Sequence, residues 1–243
     1  MRTERRGNVA VVVLEWGKAN AMNLAFLEAL DGLIDRLGDA SALVIAAQGP
    51  IFSAGLDLPA LVDLTPAAFR TFIDRFSQVM LRIFELPVPV VAAVNGHAIA
   101  GGCALALQAD VRIMAGGKIG LNEAQLGLGL PPVILEALRA QVPARSLVPI
   151  ALEGRLFSAE EALQLGLIDE IAPDALAAAL QRASLLATPG AGQIKTALRA
   201  PVAALIRAAG NTGWTGTWFA PAAQERLRAA VAKLTKKQAP GGP

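Results

Sequence analysis

Apolar and polar positions alternate in two rhythms along the first half of the chain. Residues 9–16 and 42–47 are almost unbroken apolar runs rich in β-branched side chains, which predicts strands buried on both faces. Between them Leu24, Leu27, Leu30, Ile34 and Leu37 keep the spacing of one helix face. Thr65-Pro66 opens a longer helix, with the threonine as cap and the proline in the first turn. Its apolar face is Phe69, Phe72, Ile73, Phe76, Val79, Met80 and Ile83, and Arg70, Asp74, Arg75 and Arg82 lie mostly off it. Leu86-Pro-Val-Pro ends that helix, and residues 90–95 and 111–114 are further strands.

The second half is more helical. Ser158-Ala-Glu-Glu161 is a capping box for a short helix that ends near Gly166. A brief strand over 168–171 follows, and Pro173 opens another helix. Gly190, Gly192 and Pro201 are expected to interrupt the region beyond it, and 211–221 reads as a connection rich in Gly, Thr and Trp. A last amphipathic helix over 224–237 carries Leu227, Val231 and Leu234 on one face, and the tail 239–243 is expected to fray. The pattern is strand–helix alternation followed by a helical part from about residue 175, with no strict repeat.

Size and composition narrow the classes. A chain of 243 residues, 54% apolar and 17% charged, buries a core and is not a disordered chain. The longest apolar stretch, 88–107, is broken by Asn95, His97 and three glycines, so it reads as strand plus helix and no membrane partner is expected. The basic N-terminus leads into a short run containing Glu15 with no small-residue cleavage site, so no signal peptide is expected. One cysteine, Cys103, allows no internal disulfide, and with one histidine, His97, no usual zinc site is expected; a reducing cytoplasm fits. Net charge is only +2. Lys233, Lys236 and Lys237 read as a solvated helix end without interleaved aromatics, so no nucleic acid is expected, while a nucleotide with several phosphates stays open as a partner.

Three segments offer chemistry. In Ile51-Phe-Ser-Ala-Gly-Leu-Asp-Leu58 a small-residue turn can leave the Leu56 N–H free in a cleft, with Asp57 capping the next helix; an ordinary strand-to-helix turn explains the same residues. In the stretch from Asn95-Gly to Gly101-Gly-Cys a strand runs into glycines at the start of a very apolar helix, where negative charge is favoured; tight helix packing is the alternative. Neither the phosphate-loop nor the dinucleotide spacing is present. In Ile119-Gly-Leu-Asn-Glu-Ala-Gln-Leu-Gly127, Glu123 stands among apolar and small residues, where a carboxylate is costly unless it is used, paired or exposed.

Taken together these segments resemble the crotonase superfamily, the enoyl-CoA hydratases and isomerases, from about residue 9 to residue 171. Lys18-Ala-Asn-Ala-Met-Asn23 resembles the family's early CoA-contacting segment, and Phe157-Ser-Ala-Glu-Glu-Ala-Leu-Gln-Leu-Gly-Leu-Ile-Asp169 a later shared stretch. The segment around Glu123, with Ala-Gly-Leu-Asp-Leu, is most similar to the 3,2-trans-enoyl-CoA isomerases. The resemblance implies an α/β fold, a spiral of ββα units over 1–174, with a helical C-terminal trimerisation region over 175–243. It implies an acyl-CoA thioester as substrate, no separate cofactor, and a homotrimer or dimer of trimers. By position, the Leu56 and Gly101 N–H groups hold the thioester oxygen and Glu123 is the acid/base. Lys18, Ala19, Ala54, Asp57 and Leu58 meet the CoA part, and Asn122 lines the acyl pocket.

One departure matters. Hydratases of this family carry two glutamates, and the position of the first is Ala104 here. A single carboxylate can move a proton from C2 to C4 of a 3-enoyl thioester, whereas hydration needs a held and polarised water. The implied activity is therefore isomerisation. Hydration with another acid, thioester hydrolysis, decarboxylation and a non-catalytic acyl-CoA-binding subunit stay open. If Ala104 faces Glu123, the pocket there is apolar. His97 and Cys103 read as packing residues, and Trp214, Trp218 and Phe219 as core or subunit contacts.

Overall fold

The computed structural model describes residues 1–238. Its strands are β1 (Arg2–Arg6), β2 (Val9–Leu14), β3 (Ala42–Ala47), β4 (Ile51–Ser53), β5 (Val90–Val94), β6 (His97–Ile99), β7 (Val111–Met114), β8 (Ile119–Gly120) and β9 (Glu170–Ile171). The helices are α1 (Leu24–Ile34), α2 (Leu58–Leu61), α3 (Pro66–Glu85), α4 (Gly101–Leu107), α5 (Pro132–Gln141), α6 (Leu147–Ala151), α7 (Ala159–Leu165), α8 (Ala175–Leu186), α9 (Ala191–Ala209), α10 (Thr212–Trp218) and α11 (Pro221–Gln238).

A large sheet has the order β1-β2-β3-β5-β7-β9, parallel except for β1, and a small parallel sheet has the order β4-β6-β8. Each of β3, β5 and β7 is followed at once by one strand of the small sheet, so the chain winds as the spiral of ββα units expected from its sequence. Alternation along the strands splits the large sheet's side chains between two cores. Val12, Leu14, Leu43, Ile45, Val90 and Ala92 face the main core with α1 and α3. Val11, Val13, Val44, Val91 and Ala93 face the other way, onto Ala175, Ala179 and Ala183 of α8, whose small side chains let the helix lie close.

Several expectations hold at residue level. Thr65 Oγ1 accepts from the Ala68 N–H and caps α3, and Ser158 with Glu161 forms a capping box on α7. Others are corrected. Arg2–Arg6 is an unforeseen edge strand, without an apolar signal and laced by Arg2–Glu4, Arg6–Glu4 and Arg5–Asp39 ion pairs. Gly192 and Pro201 do not interrupt the chain but lie inside the 19-residue α9. At Gly192 a Cβ would come within 2.2 Å of the Pro87 carbonyl oxygen, so the glycine serves close packing. Lys195 and Arg199 hold the same helix down through Asp110, at 2.7 and 2.8 Å, and these contacts outweigh the weak propensity. The expected connection over 211–221 contains α10, which forms because Phe69 of α3 stacks on Trp218 at 4.3 Å and packs against Trp214 at 5.9 Å.

The helices from residue 175 onward do not stand apart from the rest. α8 covers the large sheet, α9 packs on α3 and α5, and α10 closes over α3. The tail over 239–243, which was expected to fray, lies outside the described residues, as do the side chains of Lys236 and Lys237. Among the described residues no helix is long and apolar enough to cross a membrane.

Candidate active site

Three segments, each leaving one strand of the small sheet, converge. The first leaves β4. Gly55 takes a φ of +86° in the turn, and Ser53 Oγ accepts from its N–H at 3.1 Å while donating to the Asn20 carbonyl at 2.8 Å. The 18–23 segment is laced to this turn. Ala54 N–H donates to the Ala19 carbonyl, Met22 N–H to that of Gly55 and Asp57 N–H to that of Met22. Asn20, buried and at φ 49°, donates from Nδ2 to the Ile51 and Phe52 carbonyls at 3.1 Å each. Among the described residues the Leu56 N–H has no partner in this lacework.

The second segment leaves β6. Ala100, at φ 50° and ψ −114°, is a strained non-glycine residue immediately before α4. The two turns touch backbone to backbone. A Cβ on Gly55 would lie 2.7 Å from the Ile99 oxygen and 2.9 Å from the Gly101 nitrogen, and one on Gly101 would lie 3.4 Å from the Leu56 nitrogen. A Cβ on Gly102 would lie 2.2 Å from the Ser53 oxygen. The paired glycines thus serve tight packing, and the same packing brings the Leu56 and Gly101 N–H groups together. As the first residue of α4, Gly101 has an N–H without an intrahelical acceptor.

The third segment leaves β8. Glu123 begins a 3-10 turn over Glu123–Leu126 that closes at Gly127. Its side chain is buried and Oε2 has no hydrogen-bond partner. Burial pushes its carboxyl up to about 7. Asn122 Oδ1 is also buried and unpaired.

Leu56, Gly101, Asn122, Glu123, Ala54 and Leu58 all line one cavity of about 90 Å³. Among the described residues Glu123 is its only titratable wall residue. A larger hollow of about 840 Å³ lies between Pro87–Pro89 and the start of α9, but among the described residues no titratable side chain lines it. Three of the expected site residues lie off the cavity wall. Lys18 is exposed, and Ala19 contributes its carbonyl to the Ala54 N–H. Asp57 stands at the N-cap position of α2 without making the expected side-chain cap; its Oδ2 instead accepts from Asn23 Nδ2 at 3.0 Å. Ala104 is fully buried in the core and does not face Glu123 across the cavity. Apart from Asn122 and Glu123 the wall is apolar, and among the described residues it holds no second acid. His97 Nδ1 accepts from the Lys118 N–H at 3.1 Å, and Cys103 is buried.

Sequence reasoning missed Ile73, Phe76, Trp214 and Trp218 as cavity residues. The α3 stripe containing Phe76 was visible as a core face, but nothing in its spacing marks where a core face opens onto a cavity.

Comparison with known proteins agrees with this geometry. The model of the enoyl-CoA hydratase/isomerase family matches residues 4–219. Human mitochondrial enoyl-CoA delta isomerase 1 is 32% identical over 173 residues, covering 68% of this chain and 57% of that protein. Human mitochondrial enoyl-CoA hydratase domain-containing protein 3 is 35% identical over 168 residues, covering 65% of this chain and 54% of that protein. The chain thus spans little more than half the length of these two curated relatives. The crystal structure of human mitochondrial delta3-delta2-enoyl-CoA isomerase superposes with a TM-score of 0.92 at 28% identity, covering 98% of both chains. The fold is the crotonase spiral, and the chain belongs to the enoyl-CoA hydratase/isomerase family.

Proposed function

We propose that this chain is an enoyl-CoA isomerase that shifts a double bond from C3 to C2 of an acyl-CoA thioester. The observation that carries the reading is Glu123: one carboxylate, buried and unpaired, in an apolar cavity that two free backbone donors also line. Glu123 takes a proton from C2, and the electron pair moves onto the thioester oxygen. The Leu56 and Gly101 N–H groups stabilise that oxyanion without reorganising; one such donor is worth about 3–4 kcal/mol of barrier. The protonated Glu123 then returns the proton at C4. A carboxyl raised to about 7 is both a competent base and a usable acid. An apolar wall keeps water from quenching the enolate.

In this reading Lys18, Ala19, Ala54, Asp57 and Leu58 lie on the CoA side and Asn122 on the acyl side. The reaction uses no separate cofactor. We also read the enzyme as cytoplasmic, in keeping with one buried reduced thiol, and as a homotrimer or dimer of trimers. The exposed Ile194, Leu198 and Leu205 of α9 support association. Feeding the purified chain a 3-enoyl-CoA and a 2-enoyl-CoA tests the activity. Isomerisation much faster than hydration is expected, because the cavity wall offers no second acid to hold a water. Equal rates, or no turnover of the 3-enoyl thioester, would overturn the reading.

A further inference from the structure

The cavity that holds Glu123 is small for the substrate proposed for it. Its volume is about 90 Å³. An apolar cavity of about 150 Å³ takes up one benzene, so on the same scale this one holds roughly four carbons in contact with its wall. The reaction alone claims that many. Glu123 and the Leu56 and Gly101 backbone line this same space, so the thioester carbon and C2 to C4 lie in it while the proton moves from C2 to C4.

Beyond C4 a longer chain meets packed side chains. Ile73 and Phe76 of α3 and Ile134 of α5 line the cavity and belong to the main core. A close-packed interior yields little to added volume. The rest of the aromatic wall comes from α10. Trp218 is fully buried and stacks on Phe69 at 4.3 Å, which anchors that helix. Trp214 spans from α10 to the loop that follows the Glu123 turn, where its Nε1–H donates to the Gly129 carbonyl at 2.7 Å. Leu128 and Pro131 of that loop line the cavity beside it. Trp214 is thus the side chain that shuts the space between α10 and the loop, and its one polar atom is already engaged.

We propose that the site is built for short acyl chains, of about four to six carbons, and that Trp214 is the specificity-determining residue that closes it to longer ones. This deepens the isomerase reading above and rests on it. The competing behaviour is a wall that swings aside with α10 and admits long chains as readily as short ones.

The kcat/KM of the intact chain on 3-enoyl-CoA thioesters of four, six, eight and twelve carbons separates the two. From six to twelve carbons it is expected to fall about tenfold or more, although every added methylene would favour binding in a pocket able to take it. Trp214→Ala is expected to raise the twelve-to-six ratio about tenfold. Trp214→Phe, which loses the bond to Gly129 but keeps a ring in the wall, is expected to retain most of the wild-type preference. A flat or rising profile in the wild-type protein overturns the proposal. So does a Trp214→Ala protein that turns over the six-carbon thioester with the wild-type ratio, which would put the block elsewhere on the wall. The wild-type profile decides chain length even if the alanine variant does not fold, and Trp214→Leu then tests the gate. No turnover of any of the four thioesters would sink the isomerase reading together with this inference, whereas turnover without chain-length preference sinks the inference alone.

Discussion

The two sheets of this molecule are built by opposite means. The large sheet consists of apolar strands whose alternating side chains fill two cores, one against α1 and α3 and the other against α8. The small sheet has strands of three, three and two residues, too short to be held by side-chain burial. It is held by backbone contact: a Cβ on Gly96 would fall 1.9 Å from the Pro50 oxygen, and one on Gly102 2.2 Å from the Ser53 oxygen. All three site segments leave the carboxyl ends of these short parallel strands, where open α/β sheets also place their ligands. The large sheet is the scaffold. The small sheet gathers two backbone donors and a carboxylate at one edge.

The sharpest test of that division is Glu123→Gln, which leaves both sheets intact. We expect kcat/KM to fall about 10³-fold or more, because the amide keeps the shape but cannot take a proton. Stability should move the other way. With the folded carboxyl at about 7 against an ordinary 4.5, the folded state holds the proton more tightly, so the stability that Glu123 contributes is greatest below about 4.5 and is lost as pH rises through about 7. Above that, ionised Glu123 costs on the order of 3 kcal/mol, which the glutamine removes. Denaturant unfolding at pH 8 should therefore show a more stable variant, and the wild-type kcat/KM should rise with pH and level off above about 7. Unchanged turnover in the variant would remove Glu123 from the mechanism.

A second pair of variants sets the sheets against each other. Gly102→Ala adds one methyl where the Ser53 carbonyl already stands, so the β4 turn or α4 must shift. We expect a loss of about 3 kcal/mol together with a large fall in kcat, because the displaced turn carries the Leu56 N–H. Ile45→Ala in β3 removes far more volume from the main core and should cost about 2–5 kcal/mol of stability. The activity of its folded fraction should nevertheless stay near wild type. Chemical denaturation alongside kinetics at a temperature where both variants are folded distinguishes them, and equal activity loss in the two would break the comparison.

The same contrast explains what was legible in the sequence. β3 and β7 could be bounded to the residue, and the caps of α3 and α7 could be named, because burial and capping leave their mark on the residues themselves. The small-sheet strands could not be seen: two or three residues show no period, and their pairing is dictated by turns distant in sequence. β1 was hidden because a charged edge strand lacks an apolar face. α9 and α10 were hidden because Gly192, Pro201 and the Gly/Thr/Trp stretch spell breaks locally, while packing on Pro87, Asp110 and Phe69 decides otherwise. At the site, the donors and the carboxylate could be placed by motif. The aromatic wall of Trp214 and Trp218 could not, since it forms only when α10 folds back over α3.

The smallest effect is expected at the seam between the early 18–23 segment and the β4 turn. Asn23 serves two elements at once: its Oδ1 accepts from the Phe26 N–H at 3.0 Å and caps α1, while its Nδ2 donates to Asp57 Oδ2 at 3.0 Å. Asp57→Ala breaks only the second bond. The α1 cap survives, and so do the three backbone bonds that lace Ala54, Met22 and Asp57 together. The pair is partly solvated, so the stability loss should be about 1 kcal/mol or less. If the turn is held mainly by its backbone, kcat/KM should change by no more than a few fold, and Asp57→Asn, which retains an acceptor oxygen, should recover most of it. A much larger loss of kcat, unrepaired by the asparagine, would mean that the Asp57 carboxylate takes part at the site directly. The small sheet would then contribute a side chain from this turn as well as a backbone donor.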